Sequence, residues 1–169
     1  MLILKYIDLV LIFCTTTIIG VILSNKYKKR VEELKEIKIA LNVLETKMKY
    51  TYEPIAEIFK EISAGGNNNI SNIFKNAVSN MDHHSAGDAW INALDNTNTN
   101  LNKEDITVLK KLNKLLGKTN LEGQVSEIQL TTKFLDTQIE KAEKEREKNQ
   151  KLYKNLGIIA GLTIIIILI

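Results

Sequence analysis

Asp82-His83-His84 is the one place in this sequence where metal-ligating side chains crowd together. A bound metal needs ligands that converge, whereas neighbouring residues on a helix point to different sides. The triplet also lies in a polar connection just ahead of Ser85. That serine precedes an apolar-periodic run, the place of a helix N-cap rather than of a nucleophile. No glycine-rich phosphate loop with a following lysine occurs, and no His-Glu-x-x-His pair. Cys14 is the only cysteine, so neither an intramolecular disulfide nor a thiolate metal site can form. Within its apolar run it serves as a small hydrophobe. The residue types thus point to no catalytic residue, no cofactor site and no metal site; the chain reads as a non-enzyme.

The formal net charge is only +3, with Lys and Arg interleaved with Glu, which argues against a nucleic-acid partner. The elements are more telling. From Thr119 onward one helix pattern runs to Ile169. Thr119 and Glu122 have capping-box spacing, and Leu121, Val125, Ile128, Thr132, Leu135, Ile139 and Ala142 recur at alternating steps of four and three, the seam of a helix packed along others. The charged run Lys141–Lys148 continues the helix, supported by charge pairs three and four apart, and Leu156–Ile169 is apolar.

A matching apolar run opens the chain. Counted from Met1 to Leu23 it spans about 34 Å as a helix, enough for a hydrocarbon core of about 30 Å. No small-x-small cleavage site follows, so it reads as an uncleaved anchor rather than a signal peptide. The second run, at about 21 Å, is short for a span but has no polar face, and Lys151 and Lys154 can snorkel to support it. Lys26, Lys28, Lys29 and Arg30 follow the first run; Lys151 and Lys154 precede the second. The positive-inside bias therefore predicts that both termini lie across the membrane from the cytoplasm. The expected domains are a transmembrane helix over residues 1–24, a cytoplasmic helical bundle over 25–155 and a membrane segment over 156–169.

Between the runs the spacing predicts helices throughout, and hence an all-α six-helix bundle. Leu34, Ile37, Leu41, Leu44 and Met48 form a stripe continuous with the anchor. Glu53-Pro54 stops that helix and Pro54 suits the opening of the next, which carries Ile55, Ile58, Phe59 and Ile62. Ile70, Ile73, Phe74, Ala77 and Met81 line a third. Ser85 caps a fourth with Ala86, Ala89, Trp90, Ala93 and Leu94. Asn102 caps a fifth, with Ile106, Leu109, Leu112 and Leu116 inward and Gly117 as its C-cap. Leu44, Trp90, Leu112 and Leu135 are expected in the core.

The two membrane runs carry small residues at four-residue steps: Thr16, Gly20 and Ser24 in the first, Gly157 and Gly161 in the second. Small residues permit the close backbone approach that pairs helices in lipid. An antiparallel hairpin is expected, with Ser24 level with Gly157 and Gly20 level with Gly161. A homodimer through the two C-terminal glycines is its competitor.

Several blocks resemble the stage III sporulation protein AB family over essentially the whole chain. They are Leu44-Glu-Thr-Lys-Met-Lys-Tyr50 with Pro54-Ile-Ala-Glu-Ile58, then Ala89-Trp90 with Ala93-Leu94. Leu115-Leu-Gly117, Gln124, Lys148-Asn-Gln-Lys-Leu-Tyr-Lys154 and Leu156-Gly157 complete the pattern. Leu44, Glu45, Tyr50, Pro54, Trp90, Gly117, Gln124, Asn149 and Tyr153 carry the likeness. The sequence departs from the family's usual residues at Asn113 and at Thr119-Asn120. The resemblance implies similarity to the inner-membrane platform proteins of type II secretion and type IV pilus machines. It further implies a cytoplasmic secretion-type ATPase (stage III sporulation protein AA) and other channel subunits as partners. The implied setting is the mother-cell membrane around the forespore, in a channel linking the two cells. From the residues alone, a membrane-anchored scaffold or signalling adaptor dimerising through the 121–142 seam stays open beside it.

Overall fold

The computed structural model describes residues 2–114, 116 and 120–168, with side chains from residue 5 onward. Six α-helices follow in order: α1 (Leu2–Tyr50), α2 (Ile55–Ala64), α3 (Asn69–Met81), α4 (Ala86–Asn96), α5 (Lys103–Lys110) and α6 (Leu121–Leu168), with a single 3₁₀ turn (Lys111–Lys114) after α5. No strand occurs among the described residues. The chain divides into two units: Glu32–Glu140, and Met1–Val31 together with Lys141–Ile169.

In the first of these, the helix boundaries follow local chemistry. α1 ends at Tyr50, and Tyr52 turns the chain with a φ of 55°, a left-handed conformation that costs a non-glycine residue about 1–2 kcal/mol. Pro54 is then the N-cap of α2 in extended backbone. The Asn68 side chain accepts from the Ser71 amide at 2.8 Å to start α3. Ser85 accepts from Asp88 at the head of α4. Asn102 and Asp105 form a reciprocal capping box on α5. Each cap satisfies amides that a helix start leaves open.

The core is built on Phe59, Phe74 and Trp90, one each from α2, α3 and α4, all essentially fully buried. Their ring centroids lie 5.0–5.6 Å apart at tilted or edge-on angles, a geometry that adds about 0.5–1.5 kcal/mol per pair beyond area burial. Trp90 donates its indole N–H to the Leu109 carbonyl at 2.9 Å, so the one polar atom of that side chain is satisfied. Leu34, Ile37, Leu41 and Leu44 of α1, with Leu112 and Leu135, complete the interior.

Two helix expectations need correction. The fifth helix does not continue to Leu116: α5 stops at Lys110 and the chain tightens into the 3₁₀ turn. The Leu109 carbonyl there is engaged by the indole of Trp90. Val108 joins Leu109, Leu112 and Leu116 in the interior, while Ile106 is only half-buried. Gly117 and Thr119 lie outside the described residues. α6 is capped by Asn120, whose side chain accepts from the Gly123 amide at 3.0 Å.

The buried stripe of α6 is also rotated from the expected one. It runs Ile128, Thr131, Leu135, Gln138, Ala142, with Thr132 and Ile139 half-buried beside it. Thr131 and Gln138 satisfy the same three-four spacing as their neighbours but are polar, so a reading that follows apolar residues passes over them. Thr131 Oγ1 and Gln138 Oε1 have no hydrogen-bond partner among the described residues.

A small-residue seam between two apolar helices

The unit formed by Met1–Val31 and Lys141–Ile169 pairs the apolar ends of α1 and α6. Both helices are long and apolar enough to cross a membrane. Their apolar side chains are not packed as a soluble core would pack them: Ile18, Ile22, Ile166 and Ile167 are 57%, 62%, 76% and 76% exposed. An outward apolar surface of this kind suits lipid rather than water.

The inward faces are narrow and small. Gly20 and Gly161 are buried, and Gly157 is half-buried. A Cβ placed on Gly20 would stand 2.9 Å from the Gly157 Cα and 2.8 Å from the Tyr153 carbonyl oxygen; one placed on Gly157 would meet the Thr16 carbonyl oxygen at 2.8 Å. Backbone therefore rests on backbone, which only glycine at both positions allows. A Cβ on Gly161 would lie 2.5 Å from Thr16 Oγ1 and 2.9 Å from Phe13 Cδ2. The levels are thus Gly20 with Gly157 and Thr16 with Gly161, one helical turn away from the expected pairing of Gly20 with Gly161. Ser24 is buried one turn further along α1.

Contacts at the charged end accompany that offset. Tyr27 and Tyr153 stack with centroids 5.6 Å apart at 19°. Arg30, itself buried, donates to Glu145 at 2.6 Å. These larger groups share the seam with the glycines, whereas counting inward from the basic flanks ignores them. Arg30, grouped by sequence with the interfacial lysines, is turned into the seam instead. Lys26, Lys28, Lys29, Lys151 and Lys154 are exposed. Asn149 and Tyr153 are half-buried on the α6 side.

The remaining residues singled out by sequence are dispersed through the Glu32–Glu140 unit and form no common site. Leu44 and Trp90 are core. Glu45 accepts from Gln129 Nε2 at 2.6 Å, bridging α1 and α6. Gln124 is half-buried, Pro54 is exposed at the α2 cap, and Tyr50 is 69% exposed. His83 and His84 are exposed, and their amides bond back to the Asn80 carbonyl, closing α3. No cluster of three metal-capable side chains occurs among the described residues.

Sequence reasoning missed Glu33. It is buried and accepts from Asn69 Nδ2 (2.8 Å), the Asn100 amide (2.6 Å) and Asn100 Nδ2 (2.7 Å). One carboxylate thereby ties α1 to the start of α3 and to the loop after α4. The asparagine-rich stretches at 67–69 and 98–102 were the available signal, since such side chains offer donors to a carboxylate.

Known proteins agree with this architecture. A solved structure of stage III sporulation protein AB superposes with a TM-score of 0.64 at 24% identity, covering 71% of this chain and 98% of that one, a likeness of fold. Stage III sporulation protein AB of Bacillus subtilis (strain 168) is 28% identical over 169 residues, covering 98% of this chain and 99% of that protein. The family model described as stage III sporulation protein AB matches residues 5–169, taking in both apolar helices and everything between them. A match of that extent covers the seam glycines, the aromatic core and the caps alike, and on it the chain belongs to the stage III sporulation protein AB family.

Proposed function

We propose that this protein is a non-catalytic membrane platform of a sporulation-specific, secretion-like channel between mother cell and forespore. In this reading it works beside a cytoplasmic secretion-type ATPase, stage III sporulation protein AA, and other channel subunits. Residues 1–24 and 156–169 anchor it in the mother-cell membrane around the forespore, residues 25–155 face the cytoplasm, and both termini lie on the far side. Tyr50 and Pro54, exposed at the α1–α2 corner, are partner-contact residues in this reading, and the exposed lysines flank the headgroups. The observation that carries it is family membership across both candidate spans. The basic flanks add the orientation.

The scaffold alternative, dimerisation through residues 121–142, loses ground because Ile128, Leu135 and Ala142 are already buried within the chain. The test is affinity purification of the full-length protein from membranes of sporulating cells. Recovery of the secretion-type ATPase is expected. Its absence under conditions that retain the other channel subunits, or nucleotide hydrolysis by the purified protein itself, overturns the proposal.

A further inference from the structure

α1 carries a second apolar face that the bundle leaves open. Ile39 projects away from the Ile37–Leu41–Leu44 stripe and is 63% exposed. Beside it lies a groove of about 330 Å³ lined by Glu36, Ile39, Ala40, Val43, Ile62 and Ile70, among others. A second hollow of about 320 Å³ follows on the same side, where Ile39 and Val43 recur with Asn42, Thr46 and Lys47. Together they make a trough along residues 36–47, about three helical turns or 16 Å long. Its floor is aliphatic and its length suits one short helix laid along it, the groove-binding mode in which apolar anchors three and four apart enter a hydrophobic cleft.

The rim decides what kind of helix. Lys47, the one cation among the lining residues, is held by Glu61 at 2.5 Å and by Glu53 at 3.4 Å. Glu36 has neither an ion pair nor a hydrogen bond among the described residues, and it stands near Glu33 and Glu32. Glu33 spends its oxygens on Asn69 and Asn100. A half-buried carboxylate beside an apolar floor, uncompensated from within the chain, is complementary to a cation carried by an occupant. The same charge repels anionic lipid headgroups.

From this we infer that the trough along α1 docks an amphipathic helix of another protein, its aliphatic face against Ile39 and Val43 and a Lys or Arg against Glu36. The inference stands whichever channel component supplies that helix, so it does not depend on the partner being an ATPase. Pro54 and Tyr50 are not part of the trough.

The test places the photocrosslinker benzoylphenylalanine at Ile39 in the full-length protein in sporulating cells, with Lys133, exposed on α6, as the control position. Crosslinking to another polypeptide is expected, mapped by mass spectrometry to an amphipathic helical segment bearing Lys or Arg. Glu36→Lys should cut the yield about tenfold, the effect of opposing a desolvated charge pair, and reversing the mapped cation to Glu should restore it. Adducts to lipid or to a second copy of this chain, a yield no greater than at Lys133, or insensitivity to Glu36→Lys each overturn the inference. A Glu36→Lys protein that melts no lower than the parent keeps loss of folding apart from loss of docking. A mapped helix outside the ATPase supports the docking site while counting against the ATPase as its occupant.

Discussion

Trp90 concentrates more of the fold than any other single side chain. It closes the aromatic cluster with Phe59 and Phe74 and satisfies the Leu109 carbonyl where α5 gives way to the 3₁₀ turn. Trp90→Ala is expected to destabilise the protein by about 3–5 kcal/mol, the range for emptying a large buried site. Trp90→Phe, which keeps most of the volume and loses only the indole hydrogen bond to a carbonyl that the Lys111 amide also engages, should fall well short of that loss; thermal or denaturant unfolding of the solubilised protein reads both. Gly87 makes a different demand, because a Cβ there would run into the backbone carbonyl of Asn113. Gly87→Ala should cost about 1–3 kcal/mol through forced movement of the α4 contact, and an unperturbed melt would mean that this contact gives way freely. Glu36 offers a test of sign. Burial first, and then the carboxylates Glu33 and Glu32, push its pKa up from the ordinary carboxylate value. Its folded pKa lies above its unfolded one, so its favourable contribution is present below that ordinary value and is lost as pH rises through the raised one. Glu36→Gln should therefore melt higher than the parent at neutral pH and converge with it near pH ~4. Parallel melting-temperature profiles across that window would contradict the assignment.

At the scale of elements, the seam of α1 and α6 makes the sharpest claim. Thr16→Cys with Gly161→Cys, in a Cys14→Ser background, should form an intramolecular disulfide readily, since those positions face each other. Gly20→Cys with Gly161→Cys, one turn out of level, should do so poorly. Gly157→Leu should abolish the first crosslink by forcing the backbones apart. Gel mobility under non-reducing conditions distinguishes the cases, and crosslinking only between chains would refute the hairpin. Much of this level was legible beforehand. Capping at Ser85 and Asn102, the break at Pro54 and the helix count follow from local rules acting on a few residues. The rotated stripe of α6, the shortened α5 and the seam register were not legible, and for one reason. Each depends on what a residue meets from a distant part of the chain: Leu109 meets an indole, Tyr153 meets Tyr27, and polar Thr131 and Gln138 are carried inside by their neighbours. Glu33 is the same case at one residue, a carboxylate whose three donors come from two other segments.

For the whole molecule, the expected arrangement has both termini across the membrane and the helical bundle in the cytoplasm. With Cys14 replaced, Asn98→Cys and Ser63→Cys should resist a membrane-impermeant thiol reagent supplied from the extracytoplasmic side and react once the membrane is opened. Labelling in sealed cells or protoplasts would invert the topology. The touching backbones of Gly20 and Gly157 also impose an order on biosynthesis. Gly157 follows Gly20 by well over a hundred residues of chain. At roughly 5–20 residues per second of translation, the first helix waits about 7–27 s before its counterpart leaves the ribosome. During that interval its glycine face is bare, and the nearest matching surface belongs to the first helix of another nascent copy. Raising the synthesis rate is therefore expected to increase pairing between first helices at the expense of the hairpin, which disulfide crosslinking of a Gly20→Cys, Cys14→Ser protein between chains would register.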